Sequence, residues 1–197
     1  MSRGKLESIV TLKIVQAGDP VLRRRCEPLS RQDIESEAIQ QLIRLMRETM
    51  RDAPGVGLAA PQVAVSLQLA VIEDRAEYHK DVSAERLAER EREPVPFHAI
   101  INPTITFYDQ PDVEFYEGCL SVAGFSALVP RASQIRVECQ NERAEAIVIE
   151  ARGWYARILQ HEIDHLNGAL YFDRMLPRTL TTNQNLMKFG MMAQVSK

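Results

Sequence analysis

Residues 161–165 read His-Glu-Ile-Asp-His, a pair of histidines four positions apart with a glutamate beside the first. Positions i and i+4 of a helix lie on one face, so both imidazoles can reach one metal ion. Glu162 lies one residue round the helix, where its carboxylate can accept a proton from a water molecule at the ion. The spacing predicts metal ligation by His161 and His165. The alternative is a buried histidine pair on a core-facing helix.

A third metal ligand has few candidates, because no histidine follows His165 and Asp173 is the only acidic residue after it. Upstream, residues 117–121 read Glu-Gly-Cys-Leu-Ser, a glycine-containing turn from which the Cys119 thiolate can point freely. Two histidines and one cysteine leave one tetrahedral position open, which is the pattern of catalytic rather than structural sites. Taken alone, Cys119 is more typical of a small buried apolar residue than of a metal ligand, and both interpretations stay open.

A third segment with chemical potential is Gly-Val-Gly-Leu-Ala-Ala-Pro-Gln at residues 55–62. Its glycines permit close approach of the backbone to a ligand, or simply tight packing. Gln62 adds a neutral hydrogen-bond donor. By itself the segment is more typical of a packing turn.

Hydrophobic periodicity predicts the elements that position these residues. Apolar residues recur at three- and four-residue spacing from Ile34 to Met50, which predicts a helix that Pro54 and Gly55 end. The same spacing predicts a second helix over residues 153–167, carrying both histidines. Short runs rich in strand-forming residues predict strands at 67–72, 99–101, 135–139 and 146–149. The order of helix, strands and helix indicates an α+β fold.

Two segments stand apart from this pattern. Residues 75–96 separate two predicted strands, and their densely charged centre predicts a solvated loop or short exposed helix, with partner binding as the alternative. Residues 179–197 form a C-terminal tail that is either loosely packed or a docked helix. We therefore expect a single domain over residues 1–178, followed by that tail.

Composition and charge argue against several classes of function. The 197 residues carry 24 Lys and Arg against 27 Asp and Glu, a net charge of −3 that argues against nucleic acid as an obligatory partner. No stretch approaches the ~20 apolar residues of a membrane span, so no membrane association is predicted. Residues 1–8 lack the apolar core of a secretory signal, and three cysteines are too few for a disulfide framework. We expect a cytoplasmic protein of undetermined oligomeric state.

The three motifs together resemble the signatures of the peptide deformylase family. G-φ-G-φ-A-A-x-Q, E-G-C-φ-S and Q-H-E-x-D-H-φ-x-G stand in the family's order at residues 55–62, 117–121 and 160–168. The resemblance extends over residues 10–178. Residues 121–125 and 153–158 look more like the organellar-type branch, which also has bacterial members, and a bacterial cytoplasm is the expected location.

This resemblance implies small antiparallel or mixed sheets packed around a central metal-binding helix, together with an N-terminal helix. It implies hydrolysis of the N-formyl group of N-formylmethionyl nascent peptides, which gives formate and a free N-terminus. Transient contact with the ribosome stays open, with little support in the tail, whose basic residues are Lys188 and Lys197. Two other functions stay open: a zinc endopeptidase using the same helix, and a non-catalytic metal-stabilised binding module on the same scaffold.

The resemblance also implies a role for each motif residue. Cys119, His161 and His165 would hold one divalent ion, Fe²⁺ in most of the family, which Zn²⁺, Ni²⁺ or Co²⁺ can replace. Glu162 would transfer the proton, and a hole for the carbonyl oxygen would be formed by Gln62 and the backbone N–H of Leu120. The residues expected to contact substrate are Gly55, Val56, Gly57, Trp154 and Ile158, with core packing as the alternative for the last two.

Two departures from the family pattern lie beside the cysteine motif. Ser126 stands where many relatives have an arginine that steadies the peptide, and residues 123–124 are Ala-Gly where many bacterial members have a proline. A contact between Asp164 and Arg131 is also predicted, fixing the helix beside the metal.

Overall fold

The computed structural model describes residues 11–193. The helices are α1 (Arg31–Glu35), α2 (Glu37–Asp52), α3 (Ala84–Glu89), α4 (Gly153–Leu166) and α5 (Asn183–Ala193). The strands are β1 (Gly57–Ala59), β2 (Leu69–Asp74), β3 (Val95–Phe107), β4 (Val113–Cys119), β5 (Val122–Arg131), β6 (Gln134–Gln140), β7 (Ala146–Arg152) and β8 (Thr181–Thr182). Residues 1–8, for which the absence of a secretory signal was expected, and Lys197 of the tail lie outside the described residues.

The strands form two antiparallel sheets. One has five strands in the order β1-β2-β3-β6-β7, and the other has three in the order β4-β5-β8. The predicted α+β class with small sheets around a central helix is confirmed.

The five-stranded sheet has a helix on each face. Because side chains alternate along a strand, Ala70 and Ile72 of β2 belong to the core beneath α4, whereas Leu69 and Val71 belong to the core beneath α2. All four side chains are fully buried. Burial of a Val, Leu or Ile side chain contributes about 1.5–3 kcal/mol, so this alternation fixes the strand register as well as the fold.

The predicted helix over residues 34–50 is divided in two. Ser36 has extended backbone angles (φ −67°, ψ 148°) and its Oγ accepts a hydrogen bond of 3.3 Å from the N–H of Ile39 at the start of α2. Such an N-cap satisfies an otherwise unpaired donor, which favours a new helix start over continuation. Ile34 is buried but belongs to α1, so the apolar stripe does not reveal the break.

The strands β4 and β5 have no counterpart among the predicted strands. They form a hairpin in which Cys119 is the last residue of β4, after a register irregularity at Gly118. The turn itself is Leu120 and Ser121, so the prediction that Cys119 lies within a turn is wrong by one residue. β3 is also much longer than the predicted run of 99–101.

The charged insertion lies between β2 and β3, as predicted, and α3 within it has no buried residue. Its C-terminal end is not solvated throughout. Arg92 pairs with Asp74 through bonds of 2.7 and 2.9 Å, and the Arg90 guanidinium lies 4.8 Å from the centre of the Trp154 ring. The insertion therefore packs against the start of α4.

The C-terminal segment is anchored by β8, where Thr182 pairs with Phe125 and Thr181 with Ser126 of β5. α5 follows directly and packs on β5 and β8. Within residues 11–193, no helix combines the length and apolar character needed to cross a membrane.

Candidate active site

The helix α4 leaves the end of β7 without a loop, and this sharp transition depends on Gly153. Its φ is +55°, and a Cβ there would lie 2.5 Å from the Cβ of Glu91 and 2.7 Å from the carbonyl oxygen of Arg90. Only glycine adopts such a conformation in such limited space at little cost. The glycine lets the helix start beside the sheet, with its central turns beneath the β4–β5 hairpin.

One potential metal-binding group occurs within the described residues, formed by Cys119, His161 and His165, whose ligand atoms lie within 4.8 Å of one another. The Nε2 of His165 lies 3.3 Å from the Cys119 Sγ and 3.3 Å from the His161 Nε2. Ligands of one tetrahedral ion with metal–ligand distances of about 2.0–2.3 Å are separated by roughly 3.3–3.7 Å. The side chains therefore fit a single divalent ion.

The tautomer of His161 is fixed by a carboxylate. Its Nδ1–H donates a 2.9 Å hydrogen bond to Glu117, which leaves the Nε2 lone pair directed towards Cys119 and His165. A carboxylate behind a histidine in this way orients the ring and strengthens it as a ligand.

Glu117 lies at the centre of a buried ionic network. It accepts two bonds of 3.0 Å from Arg131 and one of 2.7 Å from Arg157. Burial alone would raise the pKa of Glu117, but the bonds from His161 and Arg131 outweigh it and hold the pKa well below its usual range. Glu117 is therefore an anion at any working pH.

The predicted contact between Asp164 and Arg131 is confirmed, at 2.5 Å. Asp164 also accepts bonds of 2.7 and 2.8 Å from Arg174, which lies beyond the end of α4. Arg131 thus bridges Glu117 on β4 to Asp164 on α4, and fixes the cysteine-bearing hairpin to the histidine-bearing helix.

Glu162 is buried, and its Oε2 has no hydrogen-bond partner within residues 11–193. Burial raises the pKa of Glu162 to about 7. Its carboxylate packs against the backbone of Gly57, where a Cβ would lie 2.2 Å from Oε1. The glycine-containing segment 55–62 and the histidine motif 161–165 are therefore in direct contact.

Gln62 is held in the same place from both ends of its amide. The Oε1 accepts a 2.8 Å bond from the N–H of Ala59, while Nε2 lies 3.3 Å from the Ser121 Oγ and 3.5 Å from the Cys119 Sγ. One amide hydrogen is therefore directed towards Ser121 and the other towards the Cys119 sulfur of the metal-binding group. Leu120 follows Cys119 in the hairpin turn and lines the same cavity.

A cavity of about 450 Å³ opens beside the metal-binding group. It is lined by all the predicted site residues except His165, which is buried. The lining residues among them are Gly55, Val56, Gly57, Gln62, Cys119, Leu120, Trp154, Ile158, His161 and Glu162. Ile158 belongs both to this wall and to the core beneath α4. Trp154 lies beneath three arginine side chains, Arg90, Arg92 and Arg157.

Several residues of the site carried no role in the sequence-based prediction. Arg157 interrupts the apolar face of α4 and is 3% exposed, so a charged residue at a core position was the available signal. Arg174 and Asn183 come from beyond the helix motif, and no spacing relates them to it. Ser126, at the position of the family arginine, donates a 2.7 Å hydrogen bond to Asn183, which lines the cavity.

Comparison with known protein families matches residues 11–180 to the family described as Polypeptide deformylase. The chain is 45% identical over 173 residues to peptide deformylase 1A of Solanum lycopersicum, covering 88% of this chain and 62% of that protein. It is 46% identical over 173 residues to peptide deformylase 3 of Streptomyces avermitilis, covering 88% of this chain and 75% of that one. It therefore spans less than two thirds of the tomato relative.

Among solved structures, the class I type b peptide deformylase of Acinetobacter baumannii bound to Met-Ala-Ser has a TM-score of 0.75 at 29% identity. The likeness covers 85% of this chain and all of that one. Relatives occur in bacteria, chloroplasts and mitochondria. With three motifs converging on one cavity and a family match along most of its length, the chain belongs to the peptide deformylase family of metal-dependent hydrolases, which remove the N-formyl group from new polypeptides.

Proposed function

We propose that this chain hydrolyses the N-formyl group of N-formylmethionyl nascent peptides, with release of formate. The observation that carries the proposal is the position of Glu162, which is buried at the wall of the cavity and lies on α4 between the two histidines. A carboxylate there is within reach of both an attacking water molecule and the amide nitrogen that leaves.

Cys119, His161 and His165 would hold the ion. When bound, a divalent metal ion supplies Lewis-acid activation of water and of the formyl carbonyl. The chain's own contribution is proton transfer: Glu162 accepts the proton of the attacking water and donates it to the leaving amine nitrogen. Its second carboxylate oxygen, which has no partner in the described chain, is free for this task.

The oxygen of the formyl group gains negative charge during attack and requires donors. We assign this role to the Nε2–H of Gln62 and the backbone N–H of Leu120, which lie on the same wall of the cavity. A preorganised donor of this kind contributes about 3 kcal/mol to transition-state stabilisation. The bond from Ala59 to the Gln62 Oε1 keeps this amide oriented before substrate binds.

Substrate selection follows from the shape of the site. A formyl carbon carries only hydrogen beyond its carbonyl, so a tight site at the ion admits it and excludes larger acyl groups. The methionine side chain would lie against Val56, Trp154 and Ile158, and the peptide backbone would pair with Gly55 and Gly57.

We propose Fe²⁺ as the ion, since one thiolate and two imidazoles form a donor set of intermediate softness. Zn²⁺, Ni²⁺ and Co²⁺ suit the same ligands. A bacterial cytoplasm is the proposed location, supported by the three cysteines, all of which are free thiols. Transient contact with the ribosome would follow from substrates that are nascent chains.

The test is formate release from formyl-Met-Ala-Ser by protein purified anaerobically and loaded with Fe²⁺. Glu162→Gln is the matched variant, because it preserves side-chain volume while removing the proton acceptor. We expect rapid release by the native chain and a loss of at least about 100-fold in the variant, in line with general acid–base catalysis. Metal content is measured in both proteins, so that lost metal is not mistaken for lost catalysis.

Two results would overturn the proposal. Absence of formate from protein with one ion per chain, together with tripeptide binding, would indicate a non-catalytic binding module. Cleavage of unformylated peptides at internal bonds would indicate an endopeptidase.

A further inference from the structure

We infer that Asn183, at the start of α5, binds the substrate peptide beyond its formyl-methionine by donating a hydrogen bond to the main-chain carbonyl of the next residue. The inference rests on the proposed function and deepens it. Asn183 belongs to none of the three motifs. It comes to the cavity rim from the C-terminal segment, more than 60 residues after Cys119.

The position of Asn183 is fixed by its neighbours in the chain. Thr181 and Thr182 pair with β5, and the Thr182 Oγ1 accepts a 3.2 Å bond from the N–H of Asn185, which caps the first turn of α5. The residue between the strand and the capped turn therefore has little freedom of position. Asn183 is exposed to solvent, as a residue at the rim of an open cavity must be to meet a ligand.

The orientation of the Asn183 amide is fixed by Ser126. The Ser126 hydroxyl is buried and donates its 2.7 Å hydrogen bond to Oδ1 of Asn183. The two hydrogens on Nδ2 then have no partner within residues 11–193. An amide with its oxygen held and its nitrogen free presents a donor, so its ligand must be an acceptor.

The surroundings indicate which acceptor fits. Gly118, Ala123 and Gly124 line the same cavity as Asn183, and because they carry no side chain or only a methyl group they leave room for a peptide main chain. A main-chain carbonyl is the acceptor that every peptide carries, whatever its sequence. A neutral donor for this group binds downstream residues without selecting among them, which suits an enzyme that acts on many nascent chains.

The experiment compares two substrates, formyl-Met-Ala-Ser and formyl-methionine methylamide, which lacks the main-chain carbonyl of the residue after methionine. For Asn183→Ala we expect KM for the tripeptide to rise about 2- to 10-fold, as for loss of one neutral hydrogen bond, with kcat nearly unchanged. With the methylamide the same variant should behave as the native chain does. Asn185→Ala is the matched control, an exposed asparagine on the same helix whose side chain has no hydrogen-bond partner in the described chain.

Ser126→Ala provides a second readout, because it removes only the orienting bond. It should raise KM for the tripeptide less than Asn183→Ala does, and it should add nothing when combined with Asn183→Ala. Additive effects would refute the positioning of Asn183 by Ser126.

The inference alone would be overturned if the native protein releases formate and Asn183→Ala changes KM equally for both substrates, or for neither. Absence of formate from both substrates with the native protein would overturn the proposed function, and the inference with it.

Discussion

The contact between Gly57 and Glu162 gives a sharp test of how the site is built. A Cβ at residue 57 would lie 2.2 Å from Oε1 of Glu162, 2.6 Å from Cδ and 2.8 Å from Cγ. Ordinary contact begins at 3.4 Å, so in Gly57→Ala the carboxylate must move by about 1.2 Å. A displacement of 1 Å in a reacting group can cost about 100-fold in rate, and we expect a loss of that order in kcat/KM.

The measurement is formate release from formyl-Met-Ala-Ser, with metal content and thermal midpoint determined on the same samples. Gly57 is extended, in β1, with no positive φ, so the alanine backbone itself is unstrained. Gly55→Ala is the comparison. Its Cβ would meet the Cδ1 of Leu120 at 2.9 Å, the end of a flexible side chain that can turn away, so a smaller loss is expected.

Glu162→Asp separates this clash from any other effect of the alanine. Aspartate is one methylene shorter than glutamate, so its carboxylate lies farther from residue 57. The methyl group of the alanine then overlaps less with this carboxylate. In the Glu162→Asp background, Gly57→Ala should therefore cost much less than 100-fold. An equal cost in both backgrounds would refute the reasoning, because the methyl group would then act without touching the carboxylate.

Three further perturbations test the buried ionic network, the half-buried His98 and the metal ion. Glu117→Gln should lower the free energy of unfolding by about 3–5 kcal/mol in denaturant titrations and weaken metal binding about 10- to 100-fold, because two buried arginines lose their counter-charge. Glu114→Gln, exposed on the same strand, should change neither quantity. Burial lowers the pKa of His98, so below pH 6.5 the unfolded chain takes up a proton that the folded chain does not, and stability falls with pH. His98→Gln should therefore lose less thermal stability between pH 7 and pH 5 than the native chain, and parallel losses would argue against this origin. Removal of the metal with a chelator should lower the thermal midpoint. Relative to protein at a metal concentration of 100 times Kd, the loss of stability corresponds to about 2.7 kcal/mol. In Cys119→Ala, added metal should raise the thermal midpoint only slightly.

The fold was largely predictable from sequence where one periodicity ran without interruption. The helix α4 and the strands β6 and β7 were predicted close to their observed positions, because burial of one face enforces the pattern. The strand β2 is buried on both faces and was predicted from a short continuous apolar run. The hairpin β4–β5 was missed because its strands have little clean alternation. β4 carries the buried anion Glu117, and β5 contains Gly124 and Pro130, residues that local propensity assigns to turns.

The site was predictable for a different reason: each motif must carry its residue types at fixed spacing for the chemistry to work. His161 and His165 lie on one helix, so their spacing fixes their geometry. Ser126 was noticed only as a departure from the family pattern, and its partner Asn183 was not foreseen. Their contact joins positions 57 residues apart and depends on the pairing of β8 with β5, which no local pattern encodes.

The buried charges explain how ligands from separate elements meet at one point. Glu117 and Arg131 lie on the two strands of the hairpin that carries Cys119, and Arg157 and Asp164 lie on α4, one before and one after His161. Taking these charges out of water costs several kcal/mol for each ion, and apolar packing would stabilise a fold at lower cost. Apolar packing tolerates sliding by fractions of an ångström, whereas paired guanidinium and carboxylate groups impose direction and distance. The network therefore restricts the helix to one position relative to the hairpin, which is what a three-ligand metal site across two elements requires.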